Sequence, residues 1–146
     1  MTILGVFFTF HMIGLVLWLG AAVLLPLAIL PAAKSLEPAS RTQFMGVFTK
    51  RFLPWFIAGG IAVGITGWIQ TVQMLDDLNT PVMIAKHAAI LPLIAVSGYI
   101  WFYLARKLSK PATASEGIWT QMAVCSWIQL ALSLVVLFLT GWLTGS

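Results

Sequence analysis

The chain has 146 residues, of which 60% are hydrophobic and only 8% are charged. Charged residues make up about a quarter of a typical soluble domain, so this composition excludes an ordinary water-soluble protein. The net charge of +4 arises from basic residues that lie between apolar segments. Membrane topology produces that distribution, whereas a nucleic-acid-binding protein gathers its basic residues on one surface, so we predict no nucleic-acid partner.

Four apolar segments follow one another along the chain, each long enough to cross a bilayer, which takes about 20 residues. They cover about residues 4–30, 52–75, 82–104 and 118–143. Pro31 is expected to end the first segment, and Asp76 and Asp77 the second. Since a backbone in lipid must satisfy its own hydrogen bonds, each segment is predicted to be helical. The sequence thus predicts an all-α fold, with residues 1–146 forming a single membrane domain built as a four-transmembrane-helix bundle.

The loops between these segments differ in charge, and this difference predicts an orientation. The first loop holds Lys34, Arg41, Lys50 and Arg51, and the third holds Arg106, Lys107 and Lys110. Loops rich in lysine and arginine stay in the cytoplasm, so both termini are expected on the outer, periplasmic side. We expect a multi-pass protein of a bacterial inner membrane, surrounded by membrane lipid.

Two short features recur in the two halves of the chain. The triplet Thr-Gly-Trp occurs at residues 66–68 and again at 140–142, an offset of 74, while His11 and His87 are 76 residues apart. A duplicated helical hairpin would explain both spacings, and internal repeats are frequent in membrane proteins. Chance is the alternative, because glycine and tryptophan are common in membrane helices.

His11 and His87, the two histidines of the chain, are the main candidates for chemistry. Each lies six or seven residues inside a span that runs inward, so both imidazoles are expected roughly 10 Å below the outer surface. The first and third helices of a four-helix bundle are usually diagonal neighbours, so the two rings could face each other. Imidazole binds iron and copper, and two facing imidazoles suit the axial positions of haem b. Alternatively, both histidines only make interhelical hydrogen bonds.

Five further residues are predicted to line this haem site. Lys86 could pair with a propionate, or its side chain could simply extend to the surface. Gly14 and Trp18 share a face with His11, where a flat macrocycle would find room, although small residues more often serve helix packing. Thr66 and Thr140 could accept the second N–H of each imidazole, or else bond their own helix backbone.

Copper is the alternative cofactor. Met83 lies one turn before His87, and a thioether beside imidazoles favours Cu(I). No dense array of methionines accompanies this pair, so haem b remains the first prediction.

A family resemblance points to the same residues. The run Phe10-His11-Met12-Ile13-Gly14-Leu15-Val16-Leu17-Trp18-Leu19-Gly20 resembles the first-helix signature of the CopD-like membrane superfamily, and Met83-Ile84-Ala85-Lys86-His87 resembles its lysine-bearing helix. HemJ-type protoporphyrinogen oxidases share a similar pattern. The resemblance implies that His11 and Lys86 are the functional pair; the HemJ-like side implies haem b, and the CopD-like side implies copper handling. The basic residue and histidine expected at the inner end of the first HemJ helix are absent here.

We therefore expect a cytochrome b-like protein that transfers single electrons or handles haem. Its electron partner would be a quinol or a periplasmic redox protein, and if it is an enzyme it would be an oxidoreductase. The alternatives are a CopD-like copper transport protein, a HemJ-type oxidase and a partner subunit whose histidines are structural. Gly60 and Gly64 offer a small-residue surface for a homodimer.

Overall fold

The computed structural model describes residues 3–73 and 80–145. All regular structure in these two ranges is helical. The predicted end of the second span, with Asp76 and Asp77, lies outside the described residues.

Four long helices form the fold. The first consists of α1 (Ile3–Leu24), a π-helical segment (Leu25–Ile29) and α2 (Leu30–Lys34). The second is α3 (Pro38–Gln73). The third consists of α4 (Thr80–Gly98), a second π-helical segment (Tyr99–Leu104) and α5 (Ala105–Leu108), and the fourth is α6 (Glu116–Gly145).

Each of the four is long and apolar enough to span a membrane, which confirms the predicted all-α bundle of four such helices.

The prediction that Pro31 ends the first helix is wrong, since that helix continues to Lys34. The π-helical segment ends at Ile29 and α2 begins at Leu30, so Pro31 stands in the first turn of a new helical segment, where a missing N–H is tolerated. The region assigned to the first loop is also largely helical, because α3 begins at Pro38 and carries the basic residues Arg41, Lys50 and Arg51 in its first turns.

The helices pack as two antiparallel pairs. His11 of α1 meets Thr66 of α3, and Gly14 meets Gly59, so these two helices run in opposite directions. The third and fourth helices form the other pair. Between the pairs, α1 contacts α6, and α3 contacts α5, which puts the first and third helices on one diagonal of the bundle. We call the end where α1 and α4 begin the histidine end, and the opposite end the basic end.

The densest packing lies toward the basic end. Its fully buried side chains include Met45, Trp101, Leu104, Leu108 and Met122. Toward the histidine end, the contacts within each helix pair continue, but α3 has no comparable contact with α4. The second and third helices therefore meet through α5, near the basic end, and His11, Lys86 and His87 are only partly buried.

The buried positions repeat between the two helix pairs. Leu25, Leu30 and Ala33 in the first helix are matched by Ile100, Ala105 and Leu108 in the third, each 75 residues later. Met45 and Thr49 in the second helix are matched by Met122 and Ser126 in the fourth, 77 residues later. The two π-helical segments, which begin at Leu25 and Tyr99, fall at corresponding places as well. The helix pairs are thus alike in where their π-helical segments lie and in which positions they bury.

Candidate cofactor site at the histidine end

A hydrogen bond to Thr66 fixes the imidazole of His11. The Nδ1 atom of His11 lies 2.9 Å from Oγ1 of Thr66, across the interface between α1 and α3. The Thr66 hydroxyl donates its own proton to the carbonyl of Ala62. Its oxygen therefore accepts from His11, which requires the proton of the neutral ring to be on Nδ1. The lone pair on Nε2 is then the one that can bind a metal.

Gly67 lies against the same imidazole ring. A Cβ atom at this position would stand 3.2 Å from Cε1 of His11, which is closer than most Cβ contacts in proteins. The missing side chain lets the imidazole lie against α3 with its Nδ1 at Thr66. Thr66 thus accepts the hydrogen bond from Nδ1 of His11, and Gly67 leaves space for the imidazole ring against α3.

His87 has the same tautomer for a different reason. Its Nδ1 atom lies 2.8 Å from the carbonyl oxygen of Met83, one turn earlier on α4. A carbonyl can only accept, so His87 donates from Nδ1, and its Nε2 also carries the lone pair. Both imidazoles are thus held by Nδ1, and neither Nε2 has a hydrogen bond within residues 3–73 and 80–145.

Lys86 brings a positive charge to this end of the bundle. It is partly buried, and it lies close enough to His11 to exert an electrostatic effect on the imidazole. No described residue gives its ammonium group a hydrogen bond or an ion pair. A lysine taken partly out of water without a counter-charge is costly, and an anionic group beside it would offset that cost.

Gln70 is a candidate residue that the sequence analysis did not single out. It lies one turn beyond Thr66 on α3, and its side-chain nitrogen is buried with no hydrogen-bond partner in the described part of the chain. An amide donor without an acceptor suits an anionic or carbonyl oxygen. The signal was present as a glutamine inside an apolar span, four residues after Thr66.

The other predicted residues occupy less direct positions. Gly14 is buried against α3, where a Cβ would come within 2.9 Å of the Gly59 carbonyl oxygen, so the second helix takes up the room predicted for a macrocycle. The ring of Trp18 lies 6.3 Å from that of Phe56 and covers Gly60. Thr140 donates its hydroxyl to the carbonyl of Val136 in its own helix.

The covering of Gly60 also bears on the predicted dimer surface. Trp18 atoms stand 3.7 Å and 3.8 Å from the Cβ position of Gly60, whereas no described atom lies within 4 Å of the Cβ position of Gly64. Of the two glycines predicted to form a dimer surface, Gly60 is therefore in contact with Trp18 of the same chain, and Gly64 is exposed.

Metal-binding side chains are sparse in the described ranges 3–73 and 80–145. Within them, no three or more His, Cys, Asp or Glu side chains gather closely enough to hold an ion. Comparison with protein-family models, with curated proteins and with solved structures found no match to this chain.

Proposed function

We propose that this protein is a membrane-embedded, cytochrome b-like protein that binds haem b through Nε2 of His11 and Nε2 of His87. The observation that supports this most strongly is the shared tautomer. Nδ1 of each ring is engaged, by Thr66 in one case and by Met83 in the other. A second hydrogen bond of this kind orients a ligating imidazole and raises its basicity.

Haem suits a site with two imidazoles. The porphyrin supplies four nitrogen ligands, so the protein needs to add only axial ones. Lys86 and His87 are consecutive on α4 and point about 100° apart. His87 would then hold the iron through Nε2, and Lys86 would pair with a propionate. The unpaired amide nitrogen of Gln70 is a second donor for a propionate oxygen.

Bound haem would supply one-electron redox chemistry, and imidazoles in both axial positions favour electron transfer over oxygen binding. The chain's own contribution would be orientation and charge. Thr66 and Gly67 hold the His11 ring, Met83 holds the His87 ring, and Lys86 offsets the charge of the propionates. We propose a membrane quinol or a periplasmic redox protein as the electron partner, with haem handling as the other use of such a site.

The membrane setting is part of this proposal. The four apolar helices are compatible with a multi-pass protein of a bacterial inner membrane. Basic residues concentrated at one end favour that end as the cytoplasmic one, with both termini outside. The matched π-helical segments and buried positions support a duplicated helical hairpin as the origin of the two histidine-bearing helices.

Purified full-length protein tests the proposal. We expect a Soret band and one haem per chain by the pyridine haemochrome assay, and we expect His11→Ala and His87→Ala each to lose most of the bound haem. Met12→Ala is the matched control, since Met12 neighbours His11 but is 45% exposed. A wild-type protein without haem, or full haem retention in both histidine variants, would contradict the proposal. Bound copper, or rescue of a strain lacking protoporphyrinogen oxidase, would instead support the copper or oxidase alternative.

Replacing Thr66 with valine should weaken haem binding without unfolding the protein. Valine keeps the shape but removes the acceptor for His11 Nδ1, and loss of such a partner typically costs 10- to 100-fold in affinity. Thr71→Val is the control, because Thr71 lies on the same helix and, among the described residues, its hydroxyl bonds only its own backbone, at Gly67. Haem titration of the apoprotein measures both variants. Equal affinities for the two would show that Thr66 does not orient a ligand.

A further inference from the structure

A cavity at the basic end lies between the second and third helices. It has a volume of about 340 Å³ and is bounded by α3 around Thr49 and by the end of the third helix and the residues just after it, around Ser109. This cavity lies at the end of the bundle opposite to His11 and His87, and the proposed haem site makes no use of it.

Three positive charges surround the cavity. Lys50 contributes from α3, Arg106 from α5, and Lys110 from the residues that follow α5. In the part of the chain that the structure describes, none of the three has an ion-pair partner. Arg106 lies over the ring of Phe102, 5.8 Å from its centroid, which leaves its donors available. Three like charges gathered without a counter-ion favour an anion.

Neighbouring basic residues behave differently. Arg41 forms an ion pair with Glu116 at 2.9 Å, and Lys107 donates to the Tyr103 hydroxyl at 2.7 Å. Arg41 and Lys107 are thus engaged by neighbouring side chains, whereas Lys50, Arg106 and Lys110 line the cavity without an ion pair among the described residues. Lys34 and Arg51 also have no ion pair within residues 3–73 and 80–145, but neither lines the cavity.

The remaining wall of the cavity is mostly apolar. Leu53 and Pro54 line it one turn further along α3 from Lys50, toward the apolar middle of the helix. Thr49 also lines it, and its hydroxyl is buried with no hydrogen-bond partner within residues 3–73 and 80–145. A cationic rim above an apolar wall, at the boundary of an apolar helix, has the character of a headgroup site with room for the start of an acyl chain.

We propose that this cavity binds an anionic phospholipid, with the headgroup phosphate on Lys50, Arg106 and Lys110 and the first acyl carbons against Leu53 and Pro54. The proposal rests on the membrane insertion proposed above, but not on haem. An apolar wall beside the cations distinguishes a lipid from free phosphate, which would use only the rim.

Native mass spectrometry of the detergent-purified full chain tests the site. The probes are phosphatidylglycerol, phosphatidylcholine with the same acyl chains, and inorganic phosphate. We expect one phosphatidylglycerol to bind at least tenfold more tightly than phosphatidylcholine, and phosphate not to displace it at equal concentration. The combined change Lys50→Gln, Arg106→Gln and Lys110→Gln should weaken binding by roughly 100-fold, since each basic residue near an anionic lipid contributes several-fold.

The matched control removes the same charge elsewhere, by Lys34→Gln, Arg51→Gln and Lys107→Gln, and should change binding less than threefold. If the triple cavity variant fails to fold, Lys110→Gln alone should still weaken binding roughly fivefold. Equal losses in the cavity and control variants, equal binding of the two lipids, or displacement by phosphate would each overturn the proposal. His11→Ala should keep full lipid preference, so failure of the haem site and failure of the lipid site are distinguishable.

Discussion

Replacing Trp101 with alanine is expected to destabilise the protein by about 3–5 kcal/mol, the range for removing a large aromatic from a packed core. Trp101 is fully buried. Its ring centroid lies 5.0 Å from that of Phe56, 6.0 Å from Phe48 and 6.1 Å from Phe52. These three phenylalanines belong to α3, whereas Trp101 belongs to the third helix. The indole therefore joins the two helix pairs at the end where they are packed most closely.

Two controls test whether the loss of stability comes from the buried packing of Trp101 rather than from its indole N–H. Trp127→Ala removes a ring that is 52% exposed on α6 and should change stability by less than about 1 kcal/mol. Trp101→Phe should cost far less than Trp101→Ala, because the indole nitrogen of Trp101 has no hydrogen-bond partner among the described residues. Unfolding in mixed detergent micelles, followed by circular dichroism, measures all three. Similar stabilities for Trp101→Ala and Trp127→Ala would contradict this view of the core.

Replacing Gly59 with alanine is expected to force the first and second helices apart. A Cβ at Gly59 would stand 2.8 Å from the Cβ of Leu17 and 3.0 Å from the carbonyl oxygen of Gly14. Neither atom is the end of a flexible side chain, so relief requires a shift of the helices. Overpacking of this kind costs about 1–3 kcal/mol, which outweighs the roughly 1 kcal/mol that alanine gains over glycine in helix propensity.

Gly64→Ala provides the matched comparison on the same helix. No atom of residues 3–73 or 80–145 lies within 4 Å of the Cβ position of Gly64, so this change should be neutral or stabilise the helix by up to about 1 kcal/mol. The same micelle unfolding assay applies. If both alanine variants were equally stable, the close crossing at Gly14 and Gly59 would not limit stability.

Hydropathy predicted the number of long helices because apolar composition alone determines which segments can enter lipid. It could not predict that the first helix continues past Pro31, since a break at Leu25–Ile29 and a new helical segment from Leu30 put the proline in a first turn, where it is tolerated. It also could not predict that residues 38–51 are helical, because α3 begins well before its apolar part.

The candidate site was predictable in part. Histidine and lysine inside apolar spans stand out because such groups are costly in lipid. The choice between the two threonines needed the structure, since Thr66 meets His11 across an interface whereas Thr140 donates to its own helix. Gly14 was ambiguous for a physical reason, because a glycine can leave room for a ligand or for another helix, and here α3 fills the space.

The internal repeat could likewise be predicted from the sequence only in part. The Thr-Gly-Trp triplets are offset by 74 residues, but the buried positions of the second and fourth helices are offset by 77. The two offsets differ by three residues, which is nearly one helical turn. Aligning the Thr-Gly-Trp triplets therefore does not align the buried positions of the second and fourth helices. Only the structure reveals the 75- and 77-residue spacings of the buried positions.

The electron paramagnetic resonance spectrum of the oxidised, haem-loaded protein tests the central claim most directly, because it reports the axial ligands of the iron. With Nε2 of His11 and Nε2 of His87 both bound, we predict a low-spin ferric signal typical of two imidazoles, replaced by a high-spin signal or lost in His87→Ala. A high-spin signal in the wild-type protein, or a low-spin signal that survives in both histidine variants, would contradict a haem held between these two residues.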